Sequence, residues 1–122
     1  MTWTVRFAPE FVGEFQALLA PVQVELLAQA RVIERFGPQA RRPRIDTLKG
    51  SRYSNMKELR FEVGRGVWRV AFAFDTRREA ILLAVGNKAG IPKKRFYCQL
   101  IDRADRHFSR HLSRIETLDT RH

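Results

Sequence analysis

Residues 57–74 have the sequence KELRFEVGRGVWRVAFAF, in which apolar and polar side chains alternate on either side of a glycine-containing turn. Alternation with a period of two residues is typical of β-strands that bury one face. The segment Gly64-Arg65-Gly66 predicts a hairpin turn, so the strands over 57–63 and 67–74 should pair in antiparallel fashion. This hairpin is the part of the predicted sheet from which the rest of the chain can be placed.

The alternation also assigns side chains to the two faces of the hairpin. Arg60 lies on the face of its strand opposite Leu59, and Arg69 lies on the face of its strand opposite Val70. If helices cover the apolar face, the two guanidinium groups share the other face. Because the turn between the strands is short, we expect the two groups to lie close together.

Downstream of the hairpin, the chain predicts a third strand and a long helix. Residues 80–85 are apolar at every position, as expected of a strand that is covered on both faces. Residues 86–90 contain two glycines that interrupt the sheet, and Pro92 can open a helix. Apolar side chains then recur at spacings of three and four over 96–115, which predicts an amphipathic helix. Residues 119–122 are expected to fray.

Upstream of the hairpin, the chain predicts a short strand and a helical hairpin of low net charge. Residues 3–7 alternate and are rich in β-forming types, whereas 10–19 and 21–36 follow helical periods. Residues 38–56 form a basic, turn-rich connector, which we expect to be a functional loop. The predicted order is strand, two helices, three-stranded antiparallel meander and helix, an α+β arrangement in a single domain over residues 1–122.

Positive charge dominates the composition and is unevenly distributed. The 122 residues carry a formal net charge of +10, with 23 basic and 13 acidic side chains. Three basic and four acidic side chains lie in residues 1–36, so the whole excess lies after Phe36. A field of this kind attracts polyanions, of which nucleic acid is the usual one. The alternative is a soluble basic protein without an anionic partner.

Several features point to a soluble cytoplasmic protein without a membrane segment. The hydrophobic fraction of 44% is too high for a disordered tail. No apolar run approaches the roughly 20 residues of a membrane span. The first residues lack the layout of a signal peptide. Cys98 is the single cysteine, so no internal disulfide can form.

Other basic side chains are expected to converge with Arg60 and Arg69 on a concave platform. They lie in the connector or at strand ends, and they are Lys49, Arg52, Lys57 and Lys88. Such a platform suits a phosphodiester backbone. Two preorganised guanidinium groups can also stabilise the charge that develops when an RNA 2′-hydroxyl attacks the adjacent phosphate. The alternative is a solvated sheet face with salt bridges to Glu58 or Glu62.

Five motifs follow one another between residues 44 and 110. They are TLKGS at 47–51, KELR at 57–60, WRVAFAFD at 68–75, ILL at 81–83 followed by GNK at 86–88, and KKRFY at 93–97. In this order they resemble the HigB-like toxins, the phage-derived Gp49-like group of the RelE/ParE superfamily. The resemblance implies a RelE-like fold, in which a small antiparallel sheet is joined to an N-terminal helical hairpin and a C-terminal helix.

The resemblance also implies an activity. Its members are toxins of type II toxin–antitoxin systems, ribosome-dependent endoribonucleases that cleave messenger RNA, inhibit translation and are neutralised by an antitoxin, here expected to be a helix-turn-helix protein. It maps transition-state and phosphate stabilisation onto Arg60 and Arg69, and a leaving-group or backbone contact onto Lys88. We expect no metal and no cofactor. Further candidates for RNA contact are Lys49, Arg52, Lys57, Lys93, Lys94, Arg95 and Tyr97, the last also as a proton donor or acceptor.

One departure from the family leaves the proton-transfer roles unassigned. Some relatives place a histidine near the end of the last strand, and residues 86–92 contain none. Two alternatives therefore stay open: a basic RNA- or ribosome-binding module without catalysis, such as a decayed toxin, and a subunit whose basic face binds an acidic protein.

His107 and His111 have a spacing able to bind zinc, but no Cys cluster or suitably placed Glu accompanies them.

Overall fold

A computed structural model describes residues 2–120, which form a five-stranded sheet and three α-helices. The elements in chain order are β1 (Val5–Phe7), α1 (Pro9–Gln16), α2 (Ala20–Phe36), a 3-10 turn (Gly37–Gln39), β2 (Ile45–Thr47), β3 (Met56–Val63), β4 (Gly66–Phe74), β5 (Ala80–Asn87) and α3 (Lys93–Thr120). The α+β class predicted from the alternation and the helical periods is confirmed.

The strands are arranged in the order β1-β5-β4-β3-β2. The antiparallel meander of β3, β4 and β5 is present as predicted. However, the sheet has five strands and not three, because a short strand is added at each edge. At one edge β1 pairs in parallel with β5, with Val5 opposite Ala80. At the other edge β2 pairs in antiparallel fashion with β3, with Ile45 opposite Leu59.

The connector predicted over residues 38–56 is not a plain loop, because it contains β2. Ile45 and Leu48 are buried, and the Leu48 N–H donates a hydrogen bond to the Met56 carbonyl at 2.9 Å. A strand of three residues is too short for a two-residue alternation to be visible in the sequence. The pairing fixes this basic segment against the edge of the sheet, beside β3.

The helices lie close to their predicted positions. α1 ends at Gln16, earlier than predicted, whereas α2 begins at Ala20 with a proline in its first turn. α3 has 28 residues and continues to Thr120, so the predicted fraying of residues 119 and 120 is not seen, and residues 121 and 122 lie outside the described residues. Within the described range, no helix combines the length and the apolarity needed to cross a membrane.

The core is a single apolar cluster to which the sheet and all three helices contribute. Phe11 of α1, Leu26 of α2, Phe72 of β4, Leu82 of β5 and Leu100 of α3 are all fully buried. Each such side chain contributes about 1.5–3 kcal/mol when it leaves water. The apolar stripe predicted for α3 is therefore the face by which this helix packs on β4 and β5.

Gly86 determines how closely α3 approaches the sheet. It lies opposite Arg69 in the β4–β5 pair. A β-carbon at Gly86 would lie only 2.9 Å from a ring carbon of Phe96, in the first turn of α3. The start of α3 therefore covers the sheet face that carries Arg69. The expectation that this face would be open is wrong, because helices cover it as well.

Candidate functional site

The site begins with two arginines that face one another across neighbouring strands. Arg60 of β3 and Arg69 of β4 are directly opposite in register, as the short turn between the strands predicts. Like charges in such a position repel one another. The pair therefore requires a nearby acid, and β3 supplies Glu58 two residues before Arg60, on the same face.

Glu58 is buried between the two guanidinium groups. Its Oε1 lies 3.4 Å from Arg60 Nε and 3.9 Å from Arg69 Nε. Only 5% of Glu58 and 6% of Arg69 are exposed. A charge buried to this degree is tolerated when it is paired and hydrogen-bonded. The three side chains thus form one group of paired charges. The salt bridge from Glu58 that the sequence analysis gave as an alternative to a functional role is present.

Tyr97 closes this cluster from α3. Its hydroxyl accepts a hydrogen bond from Arg69 Nε at 3.3 Å and donates one to Glu58 Oε1 at 3.2 Å. Burial raises the pKa of Tyr97, and the charge and acceptor oxygen of Glu58 add to this, although Arg69 opposes it. The phenol is therefore protonated near neutral pH. We call Glu58, Arg60, Arg69 and Tyr97 the charged cluster.

A groove with a volume of about 950 Å³ opens above the charged cluster. Its walls are β2 and the segment after it, β3, the loop after β5 and the first turns of α3. Its basic lining residues are Arg42, Lys49, Arg60, Lys88, Lys93 and Lys94. Its acidic lining residues are Asp46, Glu58, Asp102 and Asp105. Among residues 2–120, the four lysines form no ion pair, so their charge is available to a ligand.

Lys88 lies over the ring of Tyr97, with its Nζ 5.7 Å from the ring centroid. The backbone holds it there, because the Lys88 N–H donates to the Val67 carbonyl at 2.7 Å. Asn87 Oδ1 also accepts from the N–H of Val67 on β4 and from that of Ala89, both at 3.0 Å. Burial and the positive charges of Arg69, Lys93 and Arg60 lower the pKa of Lys88, against the opposing charge of Glu58. Lys88 therefore gives up a proton more readily than an isolated lysine does.

The structure brings most of the predicted site residues together. Those that line the groove are Lys49, Arg60, Lys88, Lys93, Lys94 and Tyr97. Arg69 is not on the open surface that the sequence predicted, because it lies beneath Tyr97 and donates to both Tyr97 and the Trp68 carbonyl. It belongs to the floor of the site and not to its surface.

Besides Arg69, three of the predicted residues are not among those that line the groove. Lys57 alternates with Glu58 along β3 and therefore lies on the other face of the sheet. Arg52 contacts Asp105 through its backbone N–H, at 3.1 Å, and its side chain is exposed. Arg95 is exposed on the first turn of α3. Their contact with RNA stays a prediction, and it would be made outside the groove.

Sequence reasoning missed Glu58 as a member of the site and treated it only as a salt-bridge partner. The available signal was its position, because it shares a strand face with Arg60.

The histidines lie elsewhere: His107 Nδ1 is 2.7 Å from the Leu83 carbonyl oxygen, and His111 Nε2 is 2.8 Å from Asp75 Oδ2. Both contacts are structural.

The sequence matches known proteins over most of its length. The family of phage-derived Gp49-like proteins matches residues 13–109. A Mycobacterium tuberculosis protein named "Putative toxin HigB2" is 46% identical over 92 residues, which cover 75% of this chain and 45% of that protein. The match thus spans less than half of that relative. A second protein of the same organism, "Putative toxin HigB3", is 39% identical over 101 residues, which cover 83% of this chain and 86% of that protein.

The fold also has a counterpart among solved structures. A mutant of the E. coli toxin RelE in the free state superposes with a TM-score of 0.55, over 84% of this chain and 98% of that chain, at 15% identity. This likeness shows a RelE-like fold. The chain belongs to the Gp49-like family and is HigB-like in sequence.

Proposed function

We propose that this HigB-like chain is the toxin of a type II toxin–antitoxin system, and that it inhibits translation in the cytoplasm by cutting messenger RNA on the ribosome without a metal or cofactor. The observation that carries the proposal is the groove, in which lysines that form no ion pair among residues 2–120 surround Arg60 and Tyr97 above a buried carboxylate. The names of the relatives support the toxin role, and a toxin of this type requires a cognate antitoxin, which we expect to be a helix-turn-helix protein.

The lysines of the groove supply the binding energy for RNA. Phosphate contacts release counterions, so binding depends on charge and weakens with salt. Lys49 lies on one wall, whereas Lys93 and Lys94 lie at the start of α3 on the other. A strand lying between these walls would place a phosphate next to Arg60. Arg95, beside them on α3, is free to contact ribosomal RNA.

The two arginines have different roles because they differ in exposure. The side chain of Arg60 is 27% exposed and reaches the groove, whereas that of Arg69 is 8% exposed. We assign to Arg60 the stabilisation of the negative charge that develops on the phosphate oxygens. Arg69 holds Glu58 and Tyr97 in place. The role that the sequence predicted for both arginines thus passes mainly to Arg60.

Lys88 is the proposed donor to the leaving oxygen. The RNA 2′-oxygen attacks the adjacent phosphorus, the bond from phosphorus to the 5′-oxygen breaks, and that oxygen takes a proton from Lys88 Nζ. The products are a 2′,3′-cyclic phosphate and a 5′-hydroxyl. The lowered pKa of Lys88 favours this step, because an acid with a pKa nearer to the working pH donates more effectively.

Primer extension on translated messages tests the proposal. Expression of the wild-type chain should arrest growth and create new 5′ ends within codons, and these ends should disappear when the start codon of the reporter message is removed. Arg60→Ala combined with Lys88→Ala should reduce cutting at least about 10²-fold, because two charge-stabilising groups are lost. Arg65→Ala, in the exposed turn between β3 and β4, is the matched control and should cut normally.

Two results would contradict the proposal. If the wild-type chain binds RNA or ribosomes without creating new ends, it is a binding module and not a nuclease. If the folded double variant cuts as fast as the wild type, the groove is not the catalytic site. Binding to an acidic protein in place of RNA would favour the other alternative left open by the sequence, a subunit whose basic face binds an acidic protein.

A further inference from the structure

One buried oxygen of the charged cluster has no partner. Glu58 Oε1 contacts Tyr97, Arg60 and Arg69, whereas Glu58 Oε2 is buried and has no hydrogen-bond donor among residues 2–120. Buried polar atoms are normally satisfied, so an exception of this kind needs an explanation. The negative charge of Glu58 is thus offset at Oε1 alone, and a proton taken up at Oε1 would leave Oε2 as a neutral carbonyl oxygen, which needs a donor less than a charged oxygen does.

The proposed reaction needs such an acceptor. The 2′-hydroxyl must lose its proton as it attacks the phosphate, and the two histidines in the described part of the chain lie outside the groove. Of the four acidic residues that line the groove, Glu58 alone is buried. Only 5% of Glu58 is exposed, so it offers little surface for direct contact with RNA. Tyr97, which lines the groove and donates its hydroxyl proton to Glu58, lies between the two.

We infer that Glu58 is a positioning residue that receives the 2′-hydroxyl proton through Tyr97, an assignment that rests on the proposed nuclease function. As the 2′-oxygen bonds to phosphorus, its proton moves to Tyr97 Oη and the phenolic proton of Tyr97 moves to Glu58 Oε1. The bond to the 5′-oxygen breaks, and that oxygen takes a proton from Lys88. Return of the proton from Glu58 through Tyr97 to solvent, and uptake of one by Lys88, restore the site.

The hydrogen bonds of Tyr97 fit this path. A phenolic oxygen donates one proton and accepts at its remaining lone pairs. Arg69 Nε occupies one acceptor position, at 3.3 Å, and the proton is directed to Glu58, which leaves a further acceptor position for an RNA hydroxyl. Because the pKa of Tyr97 is raised, the phenol enters the reaction protonated and passes a proton on, in contrast to a preformed phenolate.

A double-mutant cycle on the full chain tests the inference, with ribosomes carrying a defined message as substrate and single-turnover cutting as the measurement. Glu58→Gln and Tyr97→Phe should each slow the saturated rate about 10²-fold, the usual size of a lost proton-transfer step. For Glu58→Gln the ribosome concentration for half-maximal rate should stay within about twofold, since Glu58 is buried beneath Tyr97. The double variant should be no slower than the slower single variant. Glu62→Gln, an exposed carboxylate on the same strand, is the control and should cut normally.

The outcomes separate this inference from the proposed function. Losses that multiply in the double variant would show that Glu58 does not act through Tyr97, and a wild-type rate for either single variant would also overturn the inference while leaving the nuclease intact. If the wild-type chain makes no cuts, the function and the inference both fail. Should Glu58→Gln not fold, Tyr97→Phe can still overturn the inference, because a wild-type rate in a variant that keeps the Glu58–Arg69 pair would show that no proton passes through Tyr97.

Discussion

The two ends of α3 cover two different kinds of polar cluster. At about 1.5 Å per residue, this helix of 28 residues spans about 42 Å. The groove end, residues 93–101, covers Glu58 and its arginines. The distal end, residues 107–115, covers Asp75. Both ends therefore hide a carboxylate beneath the same helix.

The clusters differ in how completely they are satisfied. Asp75 Oδ1 accepts from the N–H groups of Arg77 and Glu79, both at 2.9 Å, and its Oδ2 contacts His111 at 2.8 Å. At the groove end, one oxygen of Glu58 has no donor among the described residues. Complete pairing is the usual state of a structural polar group. The distal end is therefore built for stability, whereas the groove end retains a carboxylate oxygen that the fold itself does not use.

The largest predicted effect is a loss of folding stability when the buried charges at the groove end are separated, and it tests this difference between the two ends. Arg69→Met leaves Glu58 with a single, more exposed cation, and should lower the free energy of unfolding by about 3 kcal/mol, because breaking a buried pair strands a charge. Urea denaturation followed by circular dichroism measures the change. Adding Glu58→Leu should recover most of the loss.

The control is an exposed ion pair beyond the distal end. Arg77→Met breaks the pair with Asp119, whose side chain is 64% exposed, and should cost less than about 0.5 kcal/mol. Equal losses for Arg69→Met and Arg77→Met would mean that the charged cluster contributes no more than a surface contact.

A somewhat smaller effect is expected at the distal end. Asp75→Ala removes the acceptor for two backbone N–H groups and for His111, and should lower the free energy of unfolding by about 2 kcal/mol. Asp75→Asn should lose less, since one oxygen remains. Cutting of RNA below the melting temperature should not change. Slower cutting without loss of stability would show that the two ends are not independent.

The lysines at the start of α3 should affect binding and stability in opposite directions. Lys93→Gln with Lys94→Gln should reduce the slope of log affinity against log salt for single-stranded RNA by roughly 1.4, as filter binding at several salt concentrations would show. The same change should raise the free energy of unfolding by about 0.5 kcal/mol, because positive charge at a helix N-terminus is unfavourable. Arg110→Gln at the distal end should leave the slope unchanged.

The smallest predicted effect is a pH dependence near the distal end. Burial alone would raise the pKa of Glu10, but hydrogen bonding and the charge of Arg114 lower it below its ordinary value of 4.5. A carboxyl whose pKa is lower in the folded chain stabilises the fold fully above the unfolded pKa, and this stabilisation is lost as pH falls through the folded value. Because the partner arginine is largely exposed, the effect should be below about 1 kcal/mol. Melting temperatures of wild type and Glu10→Gln should therefore converge as the pH falls below 4.5; a constant difference would contradict this.

Long periodic segments made much of the fold predictable. The hairpin over 57–74 and the helix after Pro92 have enough turns or alternations for a period to show. The edge strands do not. β2 has three residues, and nothing local in β1 indicates that it pairs with β5 in place of a nearer strand. Their neighbours are determined by packing over the whole chain.

The site was predictable only where local sequence determines it. The positions of Arg60 and Arg69 follow from the turn between their strands, but the helix above them does not. The signal for this helix was weak: Ala71, Ala73 and Gly86 leave room on that face for a close approach. Without the helix, the burial of Glu58 and its bond to Tyr97 could not be deduced.

The parallel pairing of β1 with β5 has a consequence for the order in which the molecule assembles. Arg6 next to β5 contacts Glu79, 73 positions further along the chain. Contacts this distant in sequence are slow to form, because a long loop must close first. During synthesis from the N-terminal side, β1 cannot pair until β5 has been made, and the groove cannot form until α3 has been made. A nascent chain therefore has no assembled groove until α3 has left the ribosome and packed on the sheet.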